Sequence, residues 1–85
     1  MRLDKFLKVS RLIKRRTLAN EACDAGRVTV NDKEAKASYD VKVGDVIEIR
    51  FGARRTRARV LLIKESPRKE EAADMVEMLQ GEAIE

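Results

Sequence analysis

Arg16-Thr17-Leu18-Ala19-Asn20-Glu21-Ala22-Cys23-Asp24-Ala25-Gly26-Arg27-Val28-Thr29-Val30-Asn31-Asp32 is the stretch on which the fold turns. Up to Ala25, the residues Leu18, Ala19, Ala22, Cys23 and Ala25 share one side at helical spacing, which predicts a helix over 16–25. Gly26 stands where a left-handed C-terminal cap is expected, and Arg27 beside the negative helix end suits the dipole. Then the period drops to two. Val28-Thr29-Val30 alternates and Asn31-Asp32 signals a tight turn, so a short strand and a turn follow.

Upstream, Leu3, Phe6 and Leu7 make one face apolar and predict a first helix over 2–9, with Asp4 in its first turn and Lys8 at i+4. Residues 10–15 connect the two helices, with Leu12 and Ile13 tucked inward. Downstream, 35–40 is extended or irregular, and 41–45 turns into a strand over 46–51. A basic hairpin tip over 52–57 leads to a returning strand over 58–63. Ser66-Pro67 reads as an N-cap followed by a first-turn proline. Ala72, Met75, Val76 and Leu79 at i, i+3, i+4 and i+7 then predict a last helix with Glu70, Glu71, Asp74 and Glu77 outward. Residues 81–85 are expected to fray. The fold class is therefore α+β: two N-terminal helices packed on a small, mostly antiparallel sheet, plus a C-terminal helix. Residues 1–65 form the domain, and 66–85 an acidic helix and tail.

The 85 residues suit one domain with a compact core. The net charge of +4 is unevenly spread: +5 over 1–27, −1 over 28–52, +6 over 53–69 and −6 over 70–85. Basic blocks of this kind concentrate phosphate backbones by releasing their counterions. A single cysteine forbids an intramolecular disulfide, and the lack of histidine argues against a zinc cluster. Cys23 at core spacing reads as a small hydrophobe. No apolar run is long enough for a membrane helix, and the opening residues lack the features of a signal peptide. A reduced, cytoplasmic protein is expected, with no membrane partner, metal or cofactor. Catalysis has no candidate either: no histidine, no nucleophile paired with a base, and no glycine-rich phosphate loop.

Two constellations carry chemistry. Arg2, Lys5, Lys8, Arg11, Lys14, Arg15, Arg16 and Arg27 surround the helix–loop–helix unit, where Arg2 and Lys5 can share a surface with Arg15 and Arg16. Guanidinium forks and the positive end of the second helix both suit phosphate, so binding outweighs mere solubility as their explanation. In the second, alternation sends Arg55, Arg57 and Arg59 to one face, opposite Ala58 and Val60. These arginines either bind a partner or tRNA or defend an open sheet edge by charge. The acidic last segment is expected to lie away from the basic N-terminal face, near Val60 and Leu62, as a stabilising lid or as a docking surface.

Arg2-Leu3-Asp4-Lys5-Phe6-Leu7, Ser10-Arg11, Arg15-Arg16-Thr17, Ala25-Gly26-Arg27-Val28-Thr29-Val30-Asn31 and Val43-Gly44-Asp45-Val46-Ile47 together resemble the S4-type RNA-binding domain. That domain also occurs in a small-subunit ribosomal protein, in pseudouridine synthases and in tyrosyl-tRNA synthetases. The whole chain is similar to short stand-alone proteins related to heat-shock protein 15, and among them to RqcP-type factors of bacterial ribosome-associated quality control. The resemblance rests on residues 1–19, on 36–45, on Arg50-Phe51-Gly52 and on 69–75. It implies the S4-type (alpha-L) fold and binding to the obstructed large ribosomal subunit through 23S rRNA and peptidyl-tRNA. It also implies support, with RqcH, of C-terminal alanine tailing. Arg2 and Arg16 would be the leading rRNA contacts, with Asp4 on the functional surface. The chain is more arginine-rich over 53–59 than the resemblance leads one to expect. Competing readings are a heat-shock-type factor that recycles free large subunits carrying nascent chains, a fragment of an RNA-modifying enzyme, and a DNA-binding or protein-only adaptor. Nothing resembles a DNA-recognition helix, so DNA is not an expected partner.

Overall fold

A computed structural model describes residues 1–84. The elements are α1 (Leu3–Val9), α2 (Arg16–Asp24), β1 (Val28–Val30), β2 (Lys33–Glu34), β3 (Val46–Phe51), β4 (Arg54–Val60), α3 (Lys69–Ala72), a 3-10 turn (Ala73–Met75) and β5 (Val76–Gln80). The strands form one antiparallel sheet in the order β2-β1-β3-β4-β5. Three helices on an antiparallel sheet agree with the α+β expectation.

Alternation builds the core. Val28, Val30, Ile47, Ile49, Ala58 and Val60 point to one side of the sheet and pack with Leu3, Phe6, Leu7, Ala19, Ala22 and Cys23 of the helices. Leu12 and Ile13 tuck inward as their spacing predicts. Burying one such side chain contributes roughly 1.5–3 kcal/mol, so this cluster carries much of a small domain's stability. Cys23 belongs to it, and burial pushes its thiol up to about 11, which keeps it a protonated, inert filler at neutral pH.

The turn chemistry holds around α2. Gly26 adopts φ 73°, Arg27 N–H donates to Ala22 O at 2.9 Å, and Gly26 N–H donates to Cys23 O at 3.0 Å. These two bonds close the helix end as a Schellman motif. Asn31 and Asp32, at φ 53° and 68°, turn β1 into β2. Upstream of α1, Leu3 N–H donates to Tyr39 O at 2.8 Å and Arg2 bridges Asp40, which ties the helix start to the irregular segment before β3.

Three expectations need correction. First, the hairpin tip is tighter: Phe51 pairs with Arg54, so Gly52 and Ala53 alone turn the chain. Arg54, Arg55 and Arg57 therefore lie in β4, which ends at Val60. Second, the last helix is one turn long. It starts after Arg68, whose backbone N–H donates to Glu71 Oε1 at 2.9 Å, and not at Ser66-Pro67. Val76–Gln80 then pairs with β4, Val60 opposite Val76 and Arg59 opposite Glu77. The free edge of β4 offers hydrogen bonds that a continued helix would leave unmade. Third, residues 81–84 are anchored. Ile84 is 5% exposed, bridges Ile13, and donates its N–H to Leu12 O at 2.7 Å. Thr56 Oγ1 donates to Glu82 O at 2.6 Å. Glu85, part of the segment expected to fray, lies outside the described residues.

Candidate RNA-binding surface

The start of α1 and the start of α2 meet over Asp4. Asp4 is 3% exposed, and its Oδ1 accepts from Arg2 Nε at 3.1 Å and from Lys5 N–H at 2.8 Å. Arg16 Nη2 comes within 3.5 Å of the same oxygen, and Asn20 Nδ2 donates to Oδ2 at 3.3 Å. Burial alone would push this carboxyl up. The bonds from Arg2, Asn20 and Lys5 and the charge of Arg16 outweigh it and hold the group below the usual carboxylate range. The Arg2 and Arg16 side chains remain about half exposed, so one buried anion aims two guanidinium groups at solvent.

The N-terminus of α2 opens beside them. Arg15 occupies the N-cap, no side chain caps the helix, and its first turn holds no acid. Free backbone N–H groups and the helix dipole there favour an anion.

The other expected cations are spread more widely. Lys5 Nζ pairs with Glu65 Oε1 at 2.9 Å. Lys8, Arg11 and Lys14 line one hollow with Val9 and residues 65–67. Arg11 there takes φ 64°, a left-handed conformation that costs an L-residue roughly 1–2 kcal/mol; the buried Leu12 and Ile13 beside it hold it in place. Arg27 stands apart, its guanidinium 5.7 Å from the Phe51 ring centre. The length of α2, roughly 13 Å, separates it from Arg16.

Asp4, expected on the functional surface, lies buried just beneath it as the support of Arg2 and Arg16. The acidic C-terminal segment was expected away from the basic face, but part of it runs along that face's margin. Lys14 N–H donates to Ile84 O at 3.3 Å, and Glu65, just ahead of that segment, meets Lys5. Backbone pairing and burial of Ile84 decide that path. Its outer acids are occupied elsewhere: Glu77 pairs with Arg59 and Glu71 with Lys64.

Sequence reasoning missed Asn20 and Asp45. Asn20 lies four residues after Arg16, a helical spacing that does place the two on one side. Asp45 accepts from Asn31 Nδ2 at 3.0 Å, from Tyr39 Oη at 2.9 Å and from Lys42 N–H at 2.9 Å. Burial opposes its charge, but these donors and the Lys42 charge bring it below the usual range. The network ties the β1–β2 turn to the segment that braces α1. Arg55 and Arg57 lie on the outer face of the sheet with Arg59, as alternation predicts. Among the described residues, no helix is long and apolar enough to cross a membrane.

The family model of the S4 domain matches residues 1–47. The chain is 55% identical over 84 residues to the RQC P-site tRNA stabilizing factor of Bacillus subtilis (strain 168), covering 99% of this chain and 98% of that one. It is 53% identical over 85 residues to the protein of the same name in Streptococcus pneumoniae, covering 100% and 97%. The solved trimeric structure of Vibrio cholerae heat shock protein 15 superposes with a TM-score of 0.83 at 32% identity, covering 92% of this chain and 80% of that chain.

Proposed function

Because this chain belongs to the S4-domain family, we propose that it is a non-catalytic RNA-binding factor of ribosome-associated quality control in the cytoplasm. It binds the obstructed large ribosomal subunit through 23S rRNA and the peptidyl-tRNA. With RqcH it supports C-terminal alanine tailing of stalled nascent chains. The observation that carries this reading is the pair Arg2 and Arg16, held on one buried carboxylate beside the uncapped start of α2. Two forks and a row of free N–H groups there match a bent phosphate backbone. Lys5, Lys8, Arg11, Lys14 and Arg15 extend the surface around α1, and Arg27 marks its far margin.

A chain of 85 residues does not move a tRNA by force. It acts by binding one arrangement of rRNA and tRNA better than the others, which raises the population of that arrangement between additions. The relatives' name, a stabilizing factor for P-site tRNA, supports this view.

The likeness to heat shock protein 15 favours a second reading, a factor that recycles free large subunits carrying nascent chains without tailing. Two measurements separate the readings. Sucrose-gradient sedimentation of the tagged chain is expected to place it with large subunits bearing peptidyl-tRNA, and Arg16→Ala to remove it. Cells lacking the chain are expected to lose alanine tails on stalled products. Intact tailing with normal subunit binding would select the recycling factor, and no subunit binding would sink both.

A further inference from the structure

The sheet's outer face carries cations that the helical surface does not use. Register sets Arg50 opposite Arg55, Glu48 opposite Arg57 and Val46 opposite Arg59, all on the side turned away from the core. At the centre lies Glu48, 7% exposed. Its carboxylate accepts from Arg50 Nε at 2.9 Å, with Arg57 Nη1 at 3.8 Å and Arg55 Nε at 3.9 Å. Arg59 Nη1 meets Glu77 Oε1 at 2.9 Å. Four guanidinium groups thus share two carboxylates, and their side chains remain 36–58% exposed.

Neither bland explanation accounts for this arrangement. Edge protection would explain arginines on an open strand, but β4 is an inner strand, covered by β3 and β5. Solubility needs only scattered charge, whereas Arg50 directly opposite Arg55 is an unfavourable like-charge pair that one carboxylate only partly offsets. The excess positive charge calls for an anion from outside. Side chains two apart along a strand project at roughly 6.5–7 Å intervals, so Arg55, Arg57 and Arg59 present successive forks on one face at a spacing suited to successive phosphates. None of the chain's aromatic residues, Phe6, Tyr39 and Phe51, belongs to this row, so it offers no platform for stacking bases.

We propose that this outer face, centred on Arg50, Arg55, Arg57 and Arg59, is a second RNA-binding surface that takes the sugar–phosphate backbone of a separate RNA segment. The helices lie on the other side of the sheet, and the molecule is 22 Å across its shortest axis, so the two surfaces engage different strands and the chain is a bridge. This inference rests on the RNA-binding reading above, but not on tailing or on RqcH.

The test is calorimetric stoichiometry of the full chain with a short RNA stem-loop at low salt. Wild type is expected to bind two stem-loops per chain. Arg55→Gln/Arg57→Gln should bind one, Arg2→Ala/Arg16→Ala should also bind one, and the combined variant none. Should the Gln pair fail to fold by circular dichroism, the single Arg55→Gln, which removes the longest Glu48 contact, is expected to weaken the second event at least fivefold. Unchanged binding by a folded β4 variant overturns this proposal while leaving the helical surface intact. Loss confined to the β4 variant overturns the helical assignment and leaves this one. Competition by polyglutamate equal to competition by RNA, at matched charge, would make the face a site for acidic protein and overturn the proposal.

Discussion

Arg2 and Arg16 converge on one atom: Asp4 Oδ1 lies 3.1 Å from Arg2 Nε and 3.5 Å from Arg16 Nη2. The two residues belong to different helical segments, so the contact both joins the segments and fixes the spacing of two phosphate-binding forks.

Asp4→Asn tests that double role. The substitution keeps the shape and removes one buried negative charge, which raises the net charge by one. If Asp4 acted only as a nearby negative charge, RNA binding would strengthen. Because it aims the two arginines, binding is expected to weaken roughly three- to tenfold, about 0.7–1.4 kcal/mol. Lost charge-assisted hydrogen bonds should also lower stability by about 1–2 kcal/mol, less than a fully buried pair would lose because both arginines reach solvent. Anisotropy titration and chemical denaturation measure the two effects.

Acid should unfold the domain through the same groups. Asp4 and Asp45 both have folded values below the usual range. The stability they contribute is therefore fully present above the unfolded carboxyl value of about 3.9 and is lost as pH falls through the lower folded values. Melting temperature is expected to be flat from neutral pH to about 5 and to fall below that. Asp4→Asn/Asp45→Asn should start lower at neutral pH and lose less on acidification. An acid limb as steep as wild type in that variant would remove these two carboxylates from the account. Asp40, Glu65 and Glu71 are also shifted down by their cationic partners, but they titrate at the surface, where added salt screens the effect.

What was legible in the sequence was local. Gly26, the alternation of Val28 and Val30, and the Asn31-Asp32 turn each depend on neighbours in the chain, and each stands as read. So does the outward row of Arg55, Arg57 and Arg59, which follows from alternation alone. The last segment was misread because Ala72, Met75, Val76 and Leu79 fit helical spacing, while the hydrogen bonds that make Val76–Gln80 a strand come from β4. Leu79 accordingly stands 41% exposed. The burial of Asp4 was hidden for the same kind of reason. A first-turn carboxylate reads as a partner for the helix dipole, and only the packing of α2 reveals Arg16 and Asn20 above it.

RNA binding should be dominated by phosphate contacts. If about five cations of the helical surface neutralise phosphates, log K should fall with log salt with a slope of roughly −3.5 to −4.5. Arg16→Ala is expected to reduce that slope by about one and to change stability by about 0.5 kcal/mol or less. A slope near zero for wild type would rule out the phosphate account. A large loss of stability in Arg16→Ala would make the residue structural.

Core substitutions should follow depth. Leu7 is fully buried, so Leu7→Ala is expected to cost about 2–5 kcal/mol, enough to threaten a domain this small. Leu18 packs against the same cluster but is only partly buried, so Leu18→Ala should cost less, about 1–2 kcal/mol. Urea denaturation of the two variants gives the order, and a reversed order would contradict the packing of α2.

The C-terminal end should behave as part of the fold. Ile84 is nearly buried, pairs with Ile13, and exchanges backbone bonds with Leu12 and Lys14. Gly81, at φ 73°, makes the bend that brings it there, and a Cβ at that position would collide with the backbone carbonyl of Arg55. Gly81→Ala therefore combines an unfavourable backbone region with a backbone clash and is expected to cost about 1–3 kcal/mol. Ile84→Ala should cost about 2–4 kcal/mol by opening a cavity beside Ile13. The two losses should be less than additive, because once Gly81→Ala has displaced the segment, Ile84 has little packing left to lose. A thermodynamic cycle over both sites measures this. Full additivity would mean that the bend and the anchor act independently, and near-wild-type stability in both variants would return the segment to a passive tail.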